Sequence, residues 1–271
     1  MTLALLYHDV VDGDDDASGF RGGGASRYKL GRDEFRSHLD AVGAAAQVAP
    51  SILPQSYTSR PNSHKHPLIL TFDDGGLSAA TVIADELERR GWHGHFFITV
   101  DYIGTPGFVD RGQIRDLARR GHRIGSHSCS HPTRMANCSR IQLLDEWRRS
   151  RAVLSEILGE PVTSASVPGG YYARRVAEAA SEEGYTHLFN SEPTTRVSSV
   201  QNCHVLGRYT IYRGMAPEQA AAIAAGSSVS LFKQSAAWKG KKILKTLGGP
   251  AYLVIRKRLL DRKYQSRNEH I

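Results

Sequence analysis

The sequence predicts an α/β protein in which helices and strands alternate around a parallel sheet, and three observations carry that prediction. A helix, a glycine and a strand follow one another three times: the apolar face Ala80, Ile83, Ala84 and Leu87 ends at Gly91 before His95-Phe96-Phe97-Ile98-Thr99; Ile114, Leu117 and Ala118 end at Gly121 before His122–Gly125; Val176, Ala179 and Ala180 end at Gly184 before Tyr185–Phe189. Glycine just past a helix takes the left-handed cap that other residues resist, and this alternation is the signature of βαβ units. Secondly, Leu68-Ile69-Leu70-Thr71-Phe72 is apolar on both faces, as in a strand covered from both sides. Thirdly, 271 residues with 40% hydrophobic content suit one core of about 200–250 residues plus a tail.

The remaining elements follow in order. Leu3–His8 reads as the first strand, and Phe35, Leu39 and Val42 mark a helix before a polar stretch at about 55–66. The second strand is Pro67–Phe72. A longer helix spans Ser139–Leu158, with Leu144, Trp147, Arg151, Leu154 and Leu158 down one side and Gly159 as its stop. A late strand runs Cys203–Ile211. The acidic run Asp12-Gly13-Asp14-Asp15-Asp16 lacks the ligand spacing of a calcium loop and reads as a solvated turn.

Composition sets further bounds. No run of about 18 apolar residues is present, so a transmembrane helix is not expected, and the first residues lack the basic and apolar regions of a signal peptide. Three irregularly spaced cysteines, Cys129, Cys138 and Cys203, read as reduced thiols, with Cys129 a small buried residue. The expected location is therefore cytoplasmic. The net charge of +8 has an address: eleven of the 35 Lys and Arg, but only two of the 27 acidic residues, lie from Lys233 onward. The expected division is a barrel domain over 1–232 and a basic, helical tail over 233–271. Within 238–263 apolar anchors alternate with cations, a pattern suited to an anionic membrane surface at its inner face. No nucleic-acid recognition module accompanies the charge.

In parallel β/α folds functional groups gather where strands end. Two such ends stand out. Leu68–Phe72 runs into Asp73-Asp74-Gly75-Gly76, two carboxylates on a sharp turn; one Asp would serve as a helix cap and leave the other over. Gly125-Ser126-His127-Ser128-Cys129-Ser130-His131-Pro132 places two histidines four residues apart, which sets both rings on one side of a helical turn. Together they offer two imidazoles and a carboxylate to one divalent transition metal with open positions. Zinc is the expected ion, and cobalt, iron, manganese and nickel suit the same ligand types.

Thr71-Phe72-Asp73-Asp74-Gly75 and His127-Ser128-x-x-His131-Pro132 resemble the first two motifs of the polysaccharide deacetylases, the NodB-like carbohydrate esterases. The resemblance covers about Leu3 to Tyr212. It implies a distorted parallel (β/α) barrel of about seven strands, with Asp74, His127 and His131 on the metal and Asp73 as catalytic base. It also implies hydrolysis of the N-acetyl group of a sugar in a polysaccharide, oligosaccharide or lipid-linked glycan. The family's third motif, Arg-x-Pro-aromatic-Gly, falls on Ser166-Val167-Pro168-Gly169-Gly170, so the arginine is replaced by Ser166 and the aromatic by Gly169. The Gly169 N–H would be an oxyanion donor, which needs no side chain. The late Leu-x-Leu-His motif that supplies the general acid is missing. His8, at the end of the first strand, is the preferred substitute, ahead of His204. Arg208 is the candidate for the missing arginine.

Two rival classes accompany this reading. Two histidines and a carboxylate also form the facial site of non-haem iron oxygenases, but those sites sit on antiparallel barrels and give a doubled aspartate no role. The other is a catalytically decayed barrel that binds glycans without cutting them, suggested by the altered third motif and the missing late histidine.

Overall fold

The computed structural model describes residues 2–53 and 67–240. In chain order the elements are β1 (Leu3–Tyr7), β2 (Val10–Val11), α1 (Gly23–Ser26), β3 (Leu30–Gly31), α2 (Arg32–Ala45), β4 (Leu68–Phe72), α3 (Ala84–Glu88), β5 (His95–Ile98), α4 (Arg111–Arg119), β6 (Arg123–Ser126), α5 (Arg140–Leu158), β7 (Ser164–Ser166), α6 (Arg174–Glu182), β8 (His187–Phe189), β9 (Val197–Val200), β10 (Cys203–Leu206), β11 (Tyr209–Thr210) and α7 (Pro217–Ala224). The main sheet runs β11-β1-β4-β5-β6-β7-β8-β10-β9, and only β9 is antiparallel to its neighbour. Seven of its parallel strands hold three residues or more, as the resemblance implied. Helices α2 to α6 alternate with these strands.

Burial explains the strand sequences. Every residue of β1 and β4 is buried, because helices cover one face and the barrel interior the other. The predicted glycine stops hold: Gly91, Gly121, Gly159 and Gly184 all have positive φ, between 68° and 90°. Two helical faces differ from expectation. The helix after β4 opens as a π-turn over Ala79–Ile83, which buries Ala79 and leaves the predicted Ala80 half-buried against the core. In α5 the buried face is Leu143, Trp147, Ser150, Leu154 and Ile157, so the predicted Leu144, Arg151 and Leu158 stand beside it. Apolar residues on both sides of Trp147 left the phase open, and contact with α6 and β6 selected it.

The predicted strand Cys203–Ile211 is two strands. β10 pairs with β8 and β9, whereas β11 pairs with β1 at the opposite margin of the sheet. Only Gly207 and Arg208 separate them, a span of about 10 Å at most. The sheet must therefore curl until its margins nearly meet, and Arg208 sits fully buried at the crossing. Gly207 permits the passage, since a Cβ there would lie 2.2 Å from the Glu192 carbonyl oxygen.

The acidic run is not simply a solvated turn. Asp12 and Asp14 are exposed, but Asp15 is 3% exposed and forms a two-pronged ion pair with Arg213 (2.7 and 2.8 Å) beside Ser26. Lys29, also buried, donates to the carbonyls of Asp15 and Ser18. These bonds pin residues 12–29 against the segment that follows β11. The three cysteines are free, and Cys129 is fully buried. Among the described residues no helix is long and apolar enough to cross a membrane. A last helix, 228–240, is tied to the barrel through Gln234 to Thr210 and Ser235 to Pro193. The polar stretch at 55–66 and the tail beyond Gly240, with most of the stretch read as membrane-seeking, lie outside the described residues.

Removing one partner of a buried ion pair strands the other charge, at a cost of about 3–5 kcal/mol. Arg213→Ala is expected to lower stability in urea unfolding by an amount in that range. Asp12→Ala, whose partnership with Arg32 is exposed, should change it by less than about 1 kcal/mol.

Candidate metal centre

The strand ends place the expected ligands together. Asp74 follows β4, and His127 and His131 lie on the loop after β6. One ligand atom from each, Asp74 Oδ1 and the two histidine Nε2 atoms, lies within 4.8 Å of the others. Nε2 of His127 is 3.3 Å and Nε2 of His131 3.5 Å from Asp74 Oδ1. Convergence requires unusual backbone: Asp74, Ser128 and His131 have φ of 78°, 64° and 57°, three of the four non-glycine residues with positive φ among those described. Such conformations cost about 1–3 kcal/mol each and persist where surroundings impose them. Here the Ser128 hydroxyl accepts the His131 N–H, and Glu146 of α5 accepts from the N–H groups of Cys129 (2.8 Å) and Ser130 (3.0 Å) and from the Ser130 hydroxyl.

The donor set fits a divalent cation. Nδ1 of His127 is committed to Ser166, at 2.6 Å from its hydroxyl and 3.2 Å from its carbonyl oxygen. With the ring proton held at Nδ1, Nε2 turns a lone pair towards Asp74 Oδ1. Two acceptors at that separation repel unless a cation lies between them or the ring gains a second proton. Burial pulls the His131 pKa down, but its hydrogen bond to Asp74 and the Asp74 charge more than reverse this and raise it. Burial raises Asp74, and its close interactions with His127, His131 and His8 outweigh it, holding the carboxyl well below the usual range.

Asp73 is held by a different partner. Arg208 Nη1 donates to Oδ1 (2.7 Å) and Nη2 to Oδ2 (2.8 Å), while Nη1 also reaches Thr71 Oγ1 and Nε the Asn190 carbonyl. The Ser166 hydroxyl adds a third bond to Asp73, 3.0 Å to Oδ1. Burial alone would raise the Asp73 pKa; the Arg208 charge and hydrogen bonds bring it below the usual value, so the carboxylate is ionised. Oδ1 thus accepts two bonds, whereas Oδ2 accepts one and lies 3.9 Å from His127 Nε2.

Three other expected residues are placed as follows. His8 comes directly after β1, beside Asp73 in the sheet register, and its ring stacks on Tyr28 at 4.8 Å. Burial lowers its pKa, opposed by the charges of Asp74 and Asp73, and its Nδ1 has no hydrogen-bond partner among the described residues. Gly169 lies on the turn after β7 with φ of 64°, and a Cβ there would stand 2.6 Å from the Thr133 carbonyl oxygen. That close approach explains why an aromatic side chain is absent. His204 is not brought to the site: it pairs with His187 at the opposite, N-terminal end of the strands and bonds to Ser199. The sequence reading missed Glu146, the bridging role of Ser166, and Phe20, whose ring packs on His131 at 4.6 Å from the pinned 12–29 segment. Glu146 and Phe20 have no signal around them in sequence, and the third motif marks the position of Ser166 but not the two side chains it joins.

Comparison with known proteins follows this geometry. The polysaccharide deacetylase family profile matches residues 60–188, the half of the barrel that holds Asp73, Asp74, His127, His131 and Ser166. A putative polysaccharide deacetylase of Bacillus subtilis is 22% identical over 213 residues, 78% of this chain and 71% of that protein. A peptidoglycan-N-acetylglucosamine deacetylase of Listeria monocytogenes is 28% identical over 112 residues, 41% of this chain and 23% of that protein. Across the curated relatives the chain spans from 23% to 71% of their length. A Streptococcus pyogenes deacetylase, solved in complex with acetate, shares the fold with a TM-score of 0.64 at 17% identity, over 80% of this chain and 95% of that one. The matching profile, the relatives and the shared fold agree: the chain is similar to the polysaccharide deacetylases and has their fold.

Proposed function

We propose that the protein is a metal-dependent N-deacetylase that hydrolyses the N-acetyl group of a sugar in a polysaccharide, oligosaccharide or lipid-linked glycan. One observation carries the reading: Asp74, His127 and His131 converge within 4.8 Å beside Asp73, an ionised carboxylate with one oxygen turned towards them. The Listeria relative supports the substrate class. Free cysteines support a reducing compartment, and we place the enzyme in the cytoplasm.

Asp74, His127 and His131 would hold the cation. When bound, such a cation supplies Lewis-acid polarisation of the acetyl carbonyl and acidifies water. Asp73 accepts the proton of the attacking water at Oδ2, because Oδ1 is occupied by Arg208 and Ser166. The Gly169 N–H is the candidate donor to the oxygen on which negative charge grows, a contact typically worth about 3–4 kcal/mol. The departing amine needs a proton. His8 is the candidate donor, its Nδ1 left without a protein partner.

The decayed, glycan-binding alternative rested on the altered third motif and the missing late histidine. Arg208 brings a guanidinium to Asp73 from another strand and answers the first reason, and His8 is the candidate answer to the second.

Metal content decides first. The purified protein should carry about one transition metal per chain and release acetate from N-acetylated glycan oligomers, and His127→Ala/His131→Ala should lose both. No metal in the wild type after reconstitution would refute the reading. Asp73→Asn should keep its metal and lose turnover by on the order of 100- to 10,000-fold in kcat; near-normal kcat would remove Asp73 from the mechanism. Arg208→Lys keeps the charge but not the two-pronged geometry. It should lower both the melting temperature and kcat, while metal content stays near one per chain.

A further inference from the structure

Resting on the deacetylase reading, we propose that Ser166 is a positioning residue that links the base to a metal ligand. Its hydroxyl accepts the Nδ1 proton of His127 and donates its own proton to Oδ1 of Asp73. One buried side chain thereby fixes which nitrogen His127 turns to the cation and which oxygen of Asp73 is free to take a proton.

The direction of each bond follows from what the partners can do. Ser166 is fully buried, 2.6 Å from His127 Nδ1 and 3.0 Å from Asp73 Oδ1. An ionised carboxylate only accepts, so the single hydroxyl proton goes to Asp73. The hydroxyl oxygen then faces Nδ1 with lone pairs, and Nδ1 must carry the ring proton. The Ser166 carbonyl, 3.2 Å from the same nitrogen, acts in the same sense at longer range. Nε2 is left as the donor to the cation, 3.3 Å from Asp74 Oδ1. On Asp73, the hydroxyl and Arg208 Nη1 share Oδ1 and leave Oδ2 with Arg208 Nη2 alone.

An arginine at position 166 could not do this, because a guanidinium only donates and would turn donors towards the Nδ1 proton of His127. The cation that Asp73 needs arrives from Arg208, at the crossing between β10 and β11, and a small hydroxyl can stand at 166. The Ser-for-Arg exchange is thus read as one half of a rearrangement whose other half is Arg208.

The test compares wild type with Ser166→Ala and Ser166→Cys. The second keeps the side chain's volume but hydrogen-bonds poorly. Cobalt(II) affinity is measured by chelator competition on metal-free protein, alongside kcat, KM and melting temperature. Outer-shell partners of a ligand typically carry 10- to 100-fold in affinity. Both variants should stay folded, bind cobalt(II) on the order of tenfold more weakly, and lose kcat with KM nearly unchanged. Wild-type affinity and kcat in either variant would overturn the proposal, since the hydroxyl would then be dispensable. If the wild type itself bound no cobalt(II), the deacetylase reading would fail first and this proposal with it. Wild-type affinity in the variants, with cobalt(II) bound by the wild type, would overturn this proposal and leave the deacetylase reading standing.

Discussion

A guanidinium and a carboxylate with almost no access to solvent meet inside the curled sheet, and much of the site depends on how Arg208 and Asp73 satisfy one another. Moving two ions out of water costs several kcal/mol each, and their attraction offsets this only when geometry is good and the remaining donors are used. Both conditions hold. Two parallel bonds join the pair, Thr71 and Asn190 take further guanidinium protons, and the rings of Phe97 and Phe189 lie 5.7 and 5.9 Å from the guanidinium carbon. Asp73 stands at the end of β4, while Arg208 stands where the chain leaves β10 for β11. The pair therefore ties the middle of the sheet to the place where its margins approach, and barrel closure and the charge on Asp73 become one condition.

The ligands rest on a second constraint. Three residues in left-handed backbone, Asp74, Ser128 and His131, would relax if left alone. Glu146 and the Ser128 hydroxyl hold the His127–His131 loop, and Gly75, itself at φ 81°, lets the Asp74 turn pass within van der Waals range of Ile98. Strain is thus concentrated where donors must converge, while the strands beneath remain regular. The support from outside the loop comes from a helix, through Glu146, and a regular element is a firmer base than the loop itself.

The barrel was largely legible because its determinants are local. Helix stops at Gly91, Gly121, Gly159 and Gly184 need only the sequence around them, and a strand as apolar as Leu68–Phe72 announces cover on both faces. The doublet Asp73-Asp74 and the pair His127 and His131 were legible for the same reason. What escaped depends on distant partners. Asp15 reads as one more acid in an exposed run until Arg213, some 200 residues later, is placed against it. The late strand reads as continuous because nothing in Cys203–Ile211 tells which margin of the sheet each half will join. The phase of α5 was undecided by its own residues, since leucines flank Trp147 on both sides. Glu146 looks ordinary in sequence, and Ser166 looks only like a lost arginine, because their partners are backbone amides and side chains delivered by other elements.

Arg208 also bears on what the altered third motif means. A reading by position sees an arginine lost at 166 and infers decay. A reading by geometry finds the charge at the same carboxylate, delivered from the far side of the barrel. Stability gives little reason for such a pair, because apolar residues of similar volume in place of buried ions are often neutral or stabilising. A barrel that only needed to fold, or to present a surface to a glycan, would gain nothing from keeping Asp73 ionised in its interior. An ionised Asp73, with one oxygen anchored twice and the other turned towards three converging ligands, makes sense if that second oxygen has a proton to take. The arrangement argues for catalysis because it specifies the state of one atom, and binding would not require that.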